Sequence, residues 1–284
     1  MIVAINGNRH QENHLADIQR LVDTLLRNDH RVVMSDRFLD YLVDKLGSRF
    51  ALGIHHIRLT EQPEADLAIA IGGDGAFLKT AAWVGESEIP VAGINTGHLG
   101  FLAAFSFDRP DEIARYLVTG GYAVEPRALI CVETPAGDYY ALNEVALLRG
   151  DNASMIIVDT DINGHHSLSY KGDGLIIATP TGSTAYNLSV GGPILDPSVN
   201  CWVISPIAAH SLSIRPLVIN DSSTVTATVK LRAPSFRLAV DGKNISLPDG
   251  CRLTIRKAPY CLNVVTLPGH SFTDTIRNKL GLGE

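Results

Sequence analysis

Ala65-Asp66-Leu67-Ala68-Ile69-Ala70-Ile71-Gly72-Gly73-Asp74-Gly75 is a short apolar run that stops at two glycines, turns on a carboxylate and a third glycine, and leads into Ala76 to Val84, which has helical character. The run reads as a buried strand. In an open α/β sheet, ligands bind beyond the carboxyl ends of the strands. Glycines there let the backbone come close to a phosphate, and the helix that follows offers unpaired N–H groups. A carboxylate at the tip would repel a phosphate but suits a hydroxyl or a metal. An Asp can accept the proton of a hydroxyl that attacks a phosphoryl group. The same residues also read as a glycine-rich β–α turn with Asp74 as the helix N-cap. The four residues alone leave both readings open.

The segments on either side repeat the strand–helix alternation. Ile2 to Ile5 reads as a strand, and His14 to Asn28 carries Leu15, Ile18, Leu21, Val22 and Leu25 at helical spacing. Arg31 to Met34 and Pro90 to Ile94 read as strands; Phe38 to Leu46 and Asp111 to Val118 read as helices followed by glycine. Such alternation predicts an α/β domain with a parallel sheet. Near Tyr122 the character changes. From there to about Leu267 short β runs alternate with turn residues such as Asn163-Gly164, Asp241-Gly242 and Pro248-Asp249-Gly250. A helix is expected around Thr184 to Ser189, and another over Ser271 to Leu280. The predicted organisation is an α/β domain over 1–122, a β-rich domain over 123–267, and a C-terminal tail, 268–284, packing back on the first domain.

Bulk properties narrow the function classes. Hydrophobic residues make up 45% of the 284 and charged residues 19%, which predicts packed cores rather than disorder. The formal net charge is −6 and no block of Lys or Arg stands out, so neither a nucleic-acid partner nor a membrane surface is expected. No apolar run approaches the roughly 20 residues that span a bilayer. Met1-Ile2-Val3-Ala4-Ile5 runs into polar residues without the pattern of a signal peptide. Cys131, Cys201, Cys251 and Cys261 form no Cys-x-x-Cys pair, and they read as free thiols in a reducing cytoplasm.

Three further segments carry chemistry. Lys171-Gly172-Asp173-Gly174-Leu175-Ile176-Ile177-Ala178-Thr179-Pro180-Thr181-Gly182-Ser183-Thr184-Ala185-Tyr186 takes a β run into hydroxyls and exposed N–H groups that suit ribose or phosphate, or that simply form turns and caps. Tyr186 would stack on a base or cap a core. Asn143-Glu144, read at the end of a strand, puts an amide beside a carboxylate and suits ribose hydroxyls or an adenine edge. Asn95-Thr96-Gly97-His98-Leu99-Gly100-Phe101-Leu102 is a turn after a strand in which Phe101 is core or faces a ring. Neither Gly-x-Gly-x-x-Gly after a strand nor Gly-x-x-x-x-Gly-Lys-Ser/Thr is present.

Taken together, and in this order, these segments resemble the NAD kinase family. Gly191-Gly192-Pro193, His210-x-x-Ser213-x-Arg215-Pro216 and Arg277-Asn278-Lys279-Leu280-Gly281 extend the likeness over nearly the whole chain. The threonine-rich segment is its most specific part, since Gly-Gly-Asp-Gly alone is shared with diacylglycerol, sphingosine and phosphofructokinase families. The resemblance implies NAD bound between the two domains, ATP (or another phosphate donor) with a divalent cation such as Mg2+, phosphorylation of the adenosine 2′-hydroxyl, and a homodimer or homotetramer. By the same likeness Asp74 is the base, and Asp74 and Gly75 line the reacting ribose. Asn143 and Glu144 bind the NAD ribose, Phe101 touches the adenine, and Asp173 faces the nicotinamide amide. Thr184, Ala185, Tyr186, Asn187, Leu188 and Ser189 wrap the substrate. Lys79 and Lys171 match positions often basic in the family.

The sequence departs from the family pattern twice. Ala76 follows Gly75 where Thr, Ser or Asn is usual, and Lys243 follows Asp241-Gly242 where Gln is frequent. The competing readings are a lipid or sugar kinase sharing the glycine loop, and a dinucleotide sensor without turnover. The Thr179 to Tyr186 segment and Asn143-Glu144 speak against the first.

Overall fold

The computed structural model describes residues 1–97, 100–103, 105–107, 110–150, 155–269 and 271–281. The chain divides into two compact units, Met1–Pro126 with Leu262–Glu284, and Arg127–Cys261. The first contains β1 (Ile2–Gly7), α1 (Leu15–Arg27), β2 (Arg31–Ser35), α2 (Asp36–Leu46), β3 (Ile54–Ile57), β4 (Leu67–Ile71), α3 (Asp74–Val84), β5 (Val91–Asn95), β6 (Phe105–Ser106) and α4 (Pro110–Thr119). Its strands lie side by side as β3-β2-β1-β4-β5, each pair parallel. The chain fills one side of β1 with β2 and β3, then crosses to the other with β4. The strand order therefore reverses between β1 and β4, and a crevice at the carboxyl ends of these two strands is where an α/β sheet takes a ligand.

The helices cover the sheet with the residues their spacing predicts. Ile18, Leu21, Val22 and Leu25 of α1 and Phe38, Leu39 and Leu42 of α2 are buried. Each such side chain contributes about 1.5–3 kcal/mol by leaving water. A buried polar relay secures the carboxyl ends of the strands. Ser35 Oγ donates to Asn6 Oδ1 at 2.8 Å, Asn6 Nδ2 donates to Thr80 Oγ1 at 3.1 Å, and Thr80 Oγ1 donates to the Ala76 carbonyl at 2.9 Å. The relay ties β1 and β2 to the first turn of α3. Orphaning one of its members costs about 1–3 kcal/mol.

The second unit holds β7 (Ala123–Thr134, begun in the first unit), β8 (Gly137–Ala141), β9 (Glu144–Leu148), β10 (Ile156–Ile162), β11 (His165–Gly172), β12 (Gly174–Ala178), α5 (Tyr186–Ser189), β13 (Cys201–Ile207), β14 (Leu217–Asn220), β15 (Val225–Lys230), β16 (Ser235–Val240), β17 (Lys243–Pro248) and β18 (Arg252–Thr266). One antiparallel sheet runs β14-β13-β12-β9-β16-β17, and a second set runs β11-β10-β15-β18. Alternate residues form one core: Val145 and Leu147, Leu175 and Ile177, and Phe236 and Leu238 from the first sheet, with Val158, Val225, Ala227, Val229, Leu253 and Ile255 from the second. Asn163-Gly164 and Asp241-Gly242 turn with positive φ at both residues (52° and 81°; 46° and 81°), the left-handed pairs that tight hairpins require.

The end of β18 and the helix α6 (Phe272–Leu280) belong to the first unit, where Val264 pairs in parallel with Val91 of β5. Ser271 caps α6 by accepting the Asp274 N–H. Two local expectations need correction. Glu144 opens β9 rather than ending a strand, because its backbone is recruited by neighbours described below. The helix expected from Thr184 to Ser189 is a 3-10 turn over Thr181–Thr184 followed by the single turn of α5, because buried side chains bind this backbone locally. No helix among the described residues is long and apolar enough to cross a membrane.

Candidate active site

The two units each gather one cluster of the expected residues. In the first, α3 starts at Asp74 itself and Gly73 holds the cap position. Asp74 is therefore not the N-cap. Its carboxylate reaches across to the segment after β5, where Oδ2 accepts the Phe101 N–H at 3.0 Å and Oδ1 accepts the Leu102 N–H at 3.2 Å. That crossing needs a glycine at position 100, since a β-carbon there would lie 1.9 Å from Asp74 Oδ1. Asp74 and Phe101 are partly buried, and Gly75 and Lys79 are exposed. Ala76 is fully buried, so the departure from the family's polar residue at this position places a methyl in the core. His98 and Leu99, which complete the expected turn, lie outside the described residues.

A residue not singled out for the site completes this cluster. The Lys279 ammonium of α6 lies 4.4 Å from the centroid of the Phe101 ring. Burial pulls its pKa down to about 8, against the attraction of the Asp74 carboxylate. The sequence offered one signal, the tail motif that contains it.

In the second unit the Asn143-Glu144 corner is built around Asp241. Its carboxylate accepts three backbone N–H groups, from Leu142 at 2.7 Å, Asn143 at 2.9 Å and Glu144 at 3.1 Å. Burial pushes the Asp241 carboxyl up despite these donors. The Asn143 carbonyl accepts the Thr179 N–H at 2.9 Å. Gly182 lies flush against this corner, where a β-carbon would meet the Asn143 carbonyl oxygen at 2.0 Å. Among the described residues, Glu144 Oε2 is buried without a hydrogen-bond partner. Burial and then the Asp241 charge push the Glu144 pKa up to about 7, opposed by the Tyr186 N–H. When ionised, an unpartnered carboxyl oxygen in such a corner can accept a hydrogen bond. Asp241 was legible as a turn residue, but its grip on a corner almost 100 residues earlier was not.

The remaining expected residues separate by exposure. Tyr186 is 40% exposed, so it does not cap a core. Ser189 and Lys171 are exposed, while Thr184, Ala185 and Leu188 are partly buried. Asp173 pairs with Arg149 Nε at 2.9 Å. Asn187 is fully buried. Its Nδ2 donates to the Ser183 and Pro193 carbonyls and its Oδ1 accepts from Ser205 Oγ at 2.6 Å. The Asn187 side chain thus shapes the segment rather than facing a ligand. Lys243, standing where the family often has Gln, lies 5.4 Å from the centre of the Tyr139 ring.

Comparison with known proteins decides the family. Residues 3–122 match the ATP-NAD kinase N-terminal domain, and residues 142–267 match the ATP-NAD kinase C-terminal domain. The chain belongs to the NAD kinase family. An NAD kinase of Bacteroides fragilis is 42% identical over 296 aligned positions, covering 100% of this chain and 98% of the relative. An NAD kinase of Porphyromonas gingivalis is 38% identical over 283, covering 99% and 98%. Among solved structures, yeast NADH kinase complexed with NADH superposes with a TM-score of 0.88 at 23% identity, over 100% of this chain and 88% of that one. An NAD kinase from Archaeoglobus fulgidus in complex with ATP gives 0.74 at 24%, over 99% and 98%. At these identities the two structures establish the fold.

Among the described residues, the divalent ion implied by the NAD kinase family finds no suitable cage. Among the described residues, Cys131, Glu133 and Asp138 form the one group spaced for a metal. Burial raises the Cys131 thiol, and Glu133 accepts from Arg256 Nε at 2.6 Å. A soft, protonated thiol beside a committed carboxylate does not suit Mg2+, which takes oxygen ligands.

Proposed function

We propose that the chain transfers the terminal phosphoryl group of ATP to the 2′-hydroxyl of the adenosine ribose of NAD, producing NADP, with Asp74 as the base. The attacking hydroxyl gives its proton to the Asp74 carboxylate, its oxygen bonds to the terminal phosphorus, and the bond from that phosphorus to ADP breaks. The observation that carries this reading is the fixed carboxylate. Asp74 sits just past β4 at the crevice where the strand order reverses, and two backbone N–H groups set its orientation. A carboxylate pinned in this way needs no reorganisation when a hydroxyl arrives.

Other residues take supporting roles in the proposal. Gly75, bare and exposed, lets the reacting ribose approach the backbone, and Lys79 on α3 offers charge to phosphate. Phe101 gives the adenine a ring to stack on. Glu144 Oε2 and the Asn143 amide take ribose hydroxyls. Asp173 faces the nicotinamide amide, with Lys171 close by in sequence. Thr184, Ala185, Tyr186, Leu188 and Ser189 line the substrate. The assignment extends to a homodimer or homotetramer, testable by light scattering, and to the cytoplasm.

The deciding experiment incubates the chain with NAD, ATP and magnesium and reads NADP with an NADP-specific dehydrogenase. NADP formation is expected. Dinucleotide binding without NADP formation would replace the kinase with a sensor.

A further inference from the structure

The Lys279 ammonium, carried by the helix that follows β18, covers one face of the Phe101 ring at 4.4 Å from its centroid. The backbone N–H of Phe101 donates to Asp74 Oδ2. Phe101 is thus gripped at two points, the ring by a cation and the backbone by a carboxylate. Lys279 itself is partly buried, and the Asp74 carboxylate attracts its charge. Its neighbours on the same helix, Asp274 and Arg277, are committed to one another. A flexible lysine does not bury its stem and hold its charge over a ring without a return in order, and a cation over an aromatic face is such a return.

We propose that Lys279 is a positioning residue for the dinucleotide: its ammonium braces Phe101 from one face so that the opposite face is presented to the adenine. The proposal rests on the reading of Phe101 as the adenine platform. Bracing acts on binding. Its loss therefore weakens NAD while leaving turnover at saturation largely intact, the signature of an interaction equal in ground and transition states.

The test uses Lys279→Met, which keeps the stem and removes the charge, and Lys279→Arg, which keeps the cation. NAD affinity is measured by calorimetry at pH 7 and pH 9, and KM and kcat in the coupled assay. Lys279→Met is expected to weaken NAD about tenfold at pH 7 with kcat little changed, the scale of a partly desolvated cation–π contact. Lys279→Arg is expected to restore affinity. Because the lysine titrates near 8, wild-type affinity should fall from pH 7 to pH 9 relative to Lys279→Arg, which stays charged throughout.

Unchanged affinity in Lys279→Met overturns the proposal, and so does a Lys279→Arg variant as impaired as Lys279→Met. If Lys279→Met does not fold, the wild-type and Lys279→Arg pH comparison decides alone, and parallel curves overturn the proposal. The broader reading is separated by the Phe101→Leu variant. Loss of NAD affinity there with no effect at Lys279 removes only the brace, whereas no effect at Phe101 removes the platform itself.

Discussion

The Asp74 carboxylate occupies the space where a side chain on residue 100 would begin. A β-carbon at Gly100 would sit 1.9 Å from Asp74 Oδ1 and 2.6 Å from its Cγ. The first glycine turn and the segment after β5 therefore interlock, and neither can be altered without moving the other.

Gly100→Ala is expected to dislodge Asp74. A misplacement of about 1 Å at a reacting group costs on the order of 100-fold in rate, so kcat should fall by about that factor. Measured kcat close to wild type in a correctly folded variant would contradict the interlock.

Asp74→Asn removes the base, and its single amide oxygen can accept only one of the Phe101 and Leu102 N–H groups. Turnover is expected to fall by about 10²- to 10⁴-fold, the usual contribution of general base catalysis. NAD should still bind in calorimetry. A variant of undiminished activity would take Asp74 out of the base role.

Asp241→Asn turns an acceptor of three N–H groups into a group that can face them with only one oxygen. Each buried donor left without a partner costs about 1–3 kcal/mol. Urea unfolding should show a loss of this order, and KM for NAD should rise because the Asn143-Glu144 corner loses its anchor. Stability equal to wild type would mean the corner is held by something else.

The raised Glu144 pKa predicts a pH-dependent stability of definite sign. The folded chain holds this proton up to about 7, while the unfolded chain releases it near the ordinary value of 4.5. Protons are then bound more tightly in the native state, so the contribution is complete below about 4.5 and is lost as pH rises to about 7. Glu144→Gln should flatten part of the slope in that window. Asp241, raised for the same reason of burial, contributes with the same sign. A slope identical in wild type and Glu144→Gln would show that Glu144 is not the titrating group.

Residues whose meaning is local were legible in the sequence. Leu67 to Ile71 is apolar without interruption and ends in glycine, which is enough to read a buried strand and the turn beyond it. Ile18, Leu21, Val22 and Leu25 declare a helix face by spacing alone. The family likeness supplied residue roles that spacing cannot. Long-range partners left no local trace. β3, Ile54-His55-His56-Ile57, lies beside β2 with two exposed histidines and lacks the apolar run of β4. Asp241 looks like any turn aspartate until its three partners are seen. Asn187 has the composition of a ligand-binding residue, and Ser183, Pro193 and Ser205 consume its amide. Lys279 stood out only as part of the tail motif Arg277-Asn278-Lys279-Leu280-Gly281, and its meaning depends on a ring far upstream in the chain.

The return of residues beyond 262 to the first unit has a consequence for synthesis. A ribosome delivers Asp74 and Phe101 early, then all of the second unit, and only afterwards Val264 and Lys279. Until then the Val91 edge of β5 lacks its parallel neighbour and the Phe101 ring lacks its cation. A nascent chain thus emerges with its first unit unfinished, and in a product terminated before β18 the β5 edge is paired by β6 at Ile94 and Asn95 but left open at Val91, a gap that quality-control proteases and chaperones can recognise.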